Sequence, residues 1–237
     1  MTNGTVFHSL KLGFTWCYLL RCSGGYVLID TSYPRYAPIF EQKLHGLGIG
    51  MSQIKYLLLT HHHDDHAGFA AKLVERTNCR VIAHRRATVP LARGCSEETM
   101  RPFNRRVALL FSFFSLFHGE FSFPPLDLAD GDLTVEGDDD VALERIGTGG
   151  RILSTPGHTT DSISVLLHDG SAFVGDVAMN FLRFTGIGNH PIYIESIEQV
   201  YQSWRKLVEA GARIIYPSHG RPFTADSLSR ALEAAMT

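Results

Sequence analysis

Residues 61–66 read His61-His62-His63-Asp64-Asp65-His66, and this hexapeptide constrains the chain more than any other stretch. Four imidazoles and two carboxylates follow the apolar run Tyr56-Leu57-Leu58-Leu59 and precede Ala67-Gly68-Phe69-Ala70. Neutral imidazole is the commonest protein ligand for zinc-like ions, and carboxylate is an accepted partner. A strand sends neighbouring side chains to opposite faces, and a helix fans them apart. A loop at a strand's end lets His61 and His63 point one way and Asp65 and His66 another. The cluster is internal, between a strand pattern and a helix pattern, which argues against a solvated tag.

Three further loops carry donors after apolar strand patterns. They are Thr155-Pro156-Gly157-His158-Thr159, Val174-Gly175-Asp176 and Tyr216-Pro217-Ser218-His219-Gly220. Glycine beside each donor allows tight turns and close backbone approach. Each loop alone is an ordinary turn. Four donor loops at strand ends in one chain point to a metal centre.

The rest of the chain supplies a regular α/β scaffold. Residues 15–22 and 26–30 read as two strands joined at Ser23-Gly24-Gly25, with Asp30 ending the second. Pro34 starts a helix that Gly46 and Gly48 end. Residues 55–60 form a buried strand, 65–76 a helix and 80–83 a short strand. The last third returns to short strands at 142–146, 151–154, 162–167, 172–174 and 213–216. Between them Ser196 and Gln199 open the clearest helix, 196–210, and residues 228–235 form a terminal one. Short strands interleaved with helices imply a layered α/β protein. At 237 residues we expect one domain spanning 1–237, with a helical, aromatic-rich insertion at about 84–126.

That insertion holds six of the seven arginines found between positions 80 and 106, then the run Val-Ala-Leu-Leu-Phe-Ser-Phe-Phe-Ser-Leu-Phe at 107–117. The run is too short and too broken by serine to span a bilayer. With 22 Lys and Arg against 24 Asp and Glu, the whole chain shows no nucleic-acid bias, and a nucleic-acid partner is not expected. The first residues lack the charged start and apolar stretch of a signal peptide. The four cysteines have no Cys-x-x-Cys spacing and read as reduced thiols of a cytoplasmic protein.

The pattern His61-x-His63-x-Asp65-His66, followed in order by His158, Asp176 and His219, resembles the metallo-β-lactamase superfamily, from about Thr15 to Gly220. The resemblance implies a four-layered αβ/βα sandwich with two divalent metals in a groove at one edge. His61, His63 and His158 would hold the first ion, Asp65, His66 and His219 the second, and Asp176 would bridge both. Asp30 resembles the aspartate that supports the site from behind. His62 would support the ligands or face solvent. The ions would share a hydroxide that attacks an electrophilic carbonyl or phosphoryl centre, with Asp65 relaying a proton. Zinc suits so nitrogen-rich a set, and iron or manganese also tolerates it.

Substrate is less constrained, because sites are grafted on folds. A bridging Asp176 resembles thioesterase, lactonase and phosphodiesterase branches rather than true β-lactamases. Eighteen residues follow His219, too few for the helical domain of glutathione thioesterases. A small-molecule ester, lactone or thioester is the leading expectation. Phosphodiester or β-lactam hydrolysis on the same site is the alternative. A metal-binding regulatory or interaction module with little turnover is the alternative of another class. Phe113 and Phe117 would line an apolar pocket, with Phe111, Phe114, Phe121 and Phe123 nearby. The same run could instead pack on the core or form a homodimer interface. His190 and Tyr193, in the loop after Asp176, are candidates for substrate contact.

Overall fold

A computed structural model describes residues 7–96, 100–114 and 121–235 of the chain. In chain order, β1 (Phe7–Leu12), β2 (Thr15–Cys22) and β3 (Gly25–Ile29) precede α1 (Ala37–Gly46) and β4 (Ile54–Leu58). Next come α2 (Asp64–Ala67), α3 (Ala70–Thr77), β5 (Arg80–His84), α4 (Thr88–Arg93), β6 (Arg101–Pro102) and α5 (Arg105–Phe114). The second half holds β7 (Leu133–Val135), α6 (Ala142–Arg145), β8 (Arg151–Ser154), β9 (Ile163–Leu166) and β10 (Ser171–Phe173). It closes with β11 (Tyr193–Ile194), α7 (Ile197–Glu209), β12 (Ile214–Tyr216), β13 (Phe223–Thr224) and α8 (Asp226–Ala235).

One sheet runs β1-β2-β3-β4-β5-β7 and the other β13-β12-β10-β9-β8. The first begins as an antiparallel meander and turns parallel from β3 to β7. Strand periodicity sorts its side chains. Tyr18, Leu20, Val27, Ile29 and Ile82 meet Ile152, Ile163, Val165 and Phe173 of the second sheet in a shared core. Cys17, Leu19, Leu28, Val81 and Ala83 alternate with them and face α1 and α3 through Phe40, Leu44 and Leu73. On the far side, Ala172 and Ile215 pack on Val200, Trp204 and Leu207 of α7 and Leu228 of α8. Helix, sheet, sheet and helix thus stack as a four-layered αβ/βα sandwich.

Several elements differ from the sequence reading. Residues 142–146 are not a strand. Asp139 accepts from the backbone N–H groups of Val141 and Ala142 at 2.8 and 2.7 Å, and this side-chain turn leads into the short helix α6. The expected helix at 65–76 is two helices: Gly68 keeps helical dihedrals, and the backbone leaves the helical region at Phe69, at φ −113° and ψ 19°. The edge strand β1 was not anticipated; it pairs with β2 from Phe7↔Leu20 to Leu12↔Thr15.

In the segment 84–126, Leu91, Phe123 and Leu126 join the core under α1 and α3. Val107 packs with Met179, Ile187 and Ile192, and β6 pairs with β11. The side chain of Phe113 and the whole of Phe117 lie outside the described residues. Phe121 is 61% exposed. Among the described residues, no helix is long and apolar enough to cross a membrane.

Candidate metal centre

The centre is built where strands end. Past β4, the N–H of Leu59 still pairs with Ile82 O, and the N–H of Thr60 turns to the Asp30 carboxylate. His63 then caps the single turn of α2, which carries Asp65 and His66, and the His66 ring comes within 4.0 Å of the His61 ring. His158 follows β8, Asp176 follows β10 and His219 follows β12. At Gly175 a side chain would run into Thr60, so glycine lets the Asp176 loop close on the histidine loop.

All seven donors named from the sequence come together. His61 Nε2 lies 3.0 Å from His63 Nδ1, and His158 Nε2 lies 3.2 and 3.1 Å from those two atoms. His219 Nε2 is 3.0 Å from Asp65 Oδ2, and His66 Nε2 is 3.6 Å from Asp65 Oδ1. Asp176 sits between the two groups. Its Oδ2 is 3.7 Å from His158 Nε2 and 3.4 Å from His219 Nε2, and its Oδ1 is 3.5 Å from His66 Nε2.

Hydrogen bonds behind the rings fix the tautomers. His158 Nδ1 donates to Tyr193 O at 2.8 Å and His219 Nδ1 to Phe14 O at 3.1 Å, since a carbonyl can only accept. His66 Nδ1 donates to Asp30 Oδ2 at 2.8 Å. The Thr60 hydroxyl gives its proton to Asp30 at 2.7 Å and so accepts from His61 Nδ1 at 3.1 Å. When neutral, these four imidazoles therefore aim four Nε2 lone pairs into one space.

That space fits cations. At most one proton, on His63, can be shared within the trio of His61, His63 and His158. Their spacings approach the edge of about 3.3 Å that a tetrahedral zinc site with 2.0–2.1 Å bonds would have. His66 Nε2 and Asp176 Oδ1 are buried with no hydrogen-bond partner among the described residues. Such orphaned groups are costly unless something fills the site. The trio His61, His63, His158 and the trio Asp65, His66, His219 each have the compactness of a metal-ion ligand set.

Electrostatics divides the two ends. Burial, reinforced by neighbouring imidazoles, pushes His61 and His63 well below the ordinary histidine value, and burial also lowers His158. At the other end burial opposes protonation, but the carboxylates prevail. Asp65, Asp176 and Asp30 hold His66 well above its ordinary value, and Asp176 and Asp65 raise His219 to about 9. Asp65 and Asp176 are depressed in turn; burial works against this, and His66 and His219 overcome it.

Asp30 lies behind the rings and contacts Thr60, His66 and Ser218. His62 does not face solvent: it is 2% exposed and paired with Asp161, a residue that sequence reasoning missed. Thr159, Thr160, Asp161 and Ser162 read as an ordinary polar turn, so no local signal marks Asp161. His190 uses both ring nitrogens elsewhere, on Ile187 O at 2.8 Å and the Tyr201 hydroxyl at 3.1 Å, and stacks on Phe103. Tyr193 lies closer to the donors: its carbonyl holds His158 and its ring meets Phe111 at 5.2 Å. On the other flank Phe181 lies 6.1 Å from the His219 ring and 5.8 Å from Phe14. A cavity of about 330 Å³ at the other end of β4 and β5, lined by Tyr56, Arg80, Asp132 and Arg145, contains none of the donors.

A two-sheet αβ/βα sandwich with imidazoles and carboxylates converging at one edge defines a class of metal-binding folds. The model of the metallo-β-lactamase superfamily matches residues 10–219, and the chain belongs to that superfamily. It is 25% identical over 224 residues to the β-lactamase-like protein 2 homolog of Drosophila melanogaster, covering 90% of this chain and 60% of that protein. It is 28% identical over 200 residues to a hydroxyacylglutathione hydrolase of Cereibacter sphaeroides, covering 83% of this chain and 58% of that protein. The chain thus spans about three-fifths of the length of these curated relatives. Among solved structures, a metallo-β-lactamase family protein from Thermus thermophilus matches with a TM-score of 0.65 at 25% identity, covering 98% of this chain and 78% of that one.

Proposed function

We propose that the protein is a hydrolase that uses two divalent ions, zinc by the chemistry of its donors, to cleave an acyl carbonyl substrate. A thioester leads, ahead of an oxygen ester or lactone. The observation that carries the reading is the convergence of four fixed Nε2 lone pairs, His63 Nδ1 and the Asp65 and Asp176 carboxylates on one space. His61, His63 and His158 would hold one ion and Asp65, His66 and His219 the other, with Asp176 between them. When bound, such ions supply Lewis acidity and, by lowering the pKa of water, a nucleophile near neutral pH.

The chain's own groups do the rest. Asp30, Thr60, Tyr193 O and Phe14 O hold the rings in their orientations. Asp65, 15% exposed at the groove, would take the proton released as water adds to the carbonyl. It returns that proton to the sulfur or oxygen as the acyl bond breaks. Phe14 and Phe181 on one flank and Tyr193 and Phe111 on the other supply apolar walls suited to an acyl substrate. The Cereibacter sphaeroides relative, a hydroxyacylglutathione hydrolase by name, supports the thioester, since acyl-glutathione is one.

The test is kcat/KM at equal metal loading for an acyl thioester, an aryl ester, a lactone, a phosphodiester and a cephalosporin, repeated with Phe181→Ala. Carbonyl substrates should be preferred, and Phe181→Ala should raise KM for the acyl series. Preference for the phosphodiester, with no effect of Phe181, would overturn the substrate class. Absence of turnover on every class, with ions bound, would favour a binding module.

A further inference from the structure

We propose that Asp161 is a positioning residue that clamps the His61–His63 loop to the His158 loop and so preorganises one of the two ion sites. The inference rests on the reading that His61, His63 and His158 hold an ion together. Its basis is a pair of contacts. Asp161 Oδ2 accepts the backbone N–H of His62 at 3.1 Å, and Oδ1 lies 3.0 Å from His62 Nδ1. The side chains are 2% and 3% exposed.

The position of His62 gives the clamp its leverage. His62 lies between two proposed ligands on a stretch with neither helix nor strand hydrogen bonding of its own. One carboxylate oxygen fixes its backbone and the other fixes its ring. The peptide planes on either side, and with them the directions of His61 and His63, follow. Asp161 stands three residues after His158, on a loop closed by Thr155 N–H to Ser162 O at 2.9 Å and by Thr159 Oγ1 against Ser162 Oγ at 2.7 Å. Ile163 N–H donates to Thr60 O at 2.9 Å just beyond. The two loops cannot separate without breaking buried hydrogen bonds to a carboxylate, which are roughly twice as strong as neutral ones.

The other ion site has its own direct support in Asp30, which holds His66 and reaches Ser218 beside His219; Asp30 meets the first site only through Thr60, which accepts from His61. Asp161 touches neither His66 nor His219 in any of its hydrogen bonds. Loss of Asp161 should therefore act on one site and spare the other, which a merely structural role would not do.

The experiment is a stepwise zinc titration of metal-free protein against a chromogenic chelator, with thermal melting of the metal-free form. Wild type, Asp161→Asn, Asp161→Ala and His62→Leu are compared, with His158→Ala as the reference that lacks the first site. Asp161→Ala should weaken one site by about 10–100-fold, the usual consequence of losing a partner behind a ligand. The remaining site should keep the affinity measured in His158→Ala. His62→Leu keeps the backbone contact and should lose less. If Asp161→Ala does not fold, Asp161→Asn carries the same comparison. Unchanged affinities, or equal losses at both sites with a lower metal-free melting temperature, would overturn the clamp. Two ions still bound by His158→Ala would show instead that the underlying ligand assignment had failed, and the clamp would fall with it.

Discussion

The Asp30 carboxylate and the His66 imidazole meet at 2.8 Å with both side chains fully buried. The same carboxylate accepts the Thr60 N–H and hydroxyl at 2.7 Å each and the Ser218 hydroxyl at 3.2 Å. One residue therefore joins the end of β3 to the first and last donor loops. Its backbone sits at φ 57°, a left-handed conformation that costs a non-glycine residue energy and persists only where surrounding contacts enforce it.

Asp30→Asn should weaken ion binding at the Asp65, His66 and His219 end by about 10–100-fold, because the orienting acceptor behind His66 is lost. Chelator competition measures this. Unchanged affinity with only a lower melting temperature would reduce Asp30 to a turn residue.

Asp176→Ala should cost more than that. The carboxylate stands between both trios and has a buried oxygen without a hydrogen-bond partner. Its removal takes away the carboxylate that, among the described residues, lies against both trios. Metal content should fall toward one ion per chain, with turnover reduced beyond the roughly 10–100-fold typical of a supporting residue. Full metal content and rate in this variant would exclude Asp176 from the centre.

The metal-free chain should lose stability as pH rises. His219 moves from an ordinary 6.5 to about 9 on folding, and His66 also rises. A raised folded value contributes stability that is complete below the unfolded value and disappears as pH climbs through the folded one. The melting temperature without metal should therefore fall between pH 6.5 and about 9. Metal displaces those protons, so the stabilisation by added zinc should grow over the same window. Melting curves at stepped pH, with and without buffered zinc, check both slopes. A flat metal-free profile would contradict the proton-filled centre.

Gly157→Ala should destabilise the fold by about 1–3 kcal/mol. Gly157 has φ 133°, and a side chain there would run into Val200 at the start of α7. Its carbonyl also accepts from Glu195 and Ser196 at 3.0 and 3.1 Å. Urea unfolding measures the loss; a neutral result would mean the loop and helix separate freely.

The loops that bring the seven proposed donors together are legible in the sequence because they follow apolar strand runs, with glycine or proline marking most of the turns; the grouping of those donors and the place of Asp30 rest on the family resemblance. Asp161 is not legible, since its role depends on a loop 99 residues away. The break between α2 and α3 is not legible either: it falls at Phe69, which no glycine or proline marks. Residues 142–146 suit a short strand by composition, but Asp139 holds the N–H groups of Val141 and Ala142 in a turn that leads into a helix. The apolar flank nearest His219 comes from Phe14 and Phe181, on two separate loops that no periodicity links.

Elemental analysis of protein stripped of metal, reconstituted with excess zinc and freed of loosely held ions tests the dinuclear centre most directly. Two zinc ions per chain are expected, with His158→Ala retaining one. A single ion in the wild-type chain at saturation, or none, would contradict the dinuclear centre.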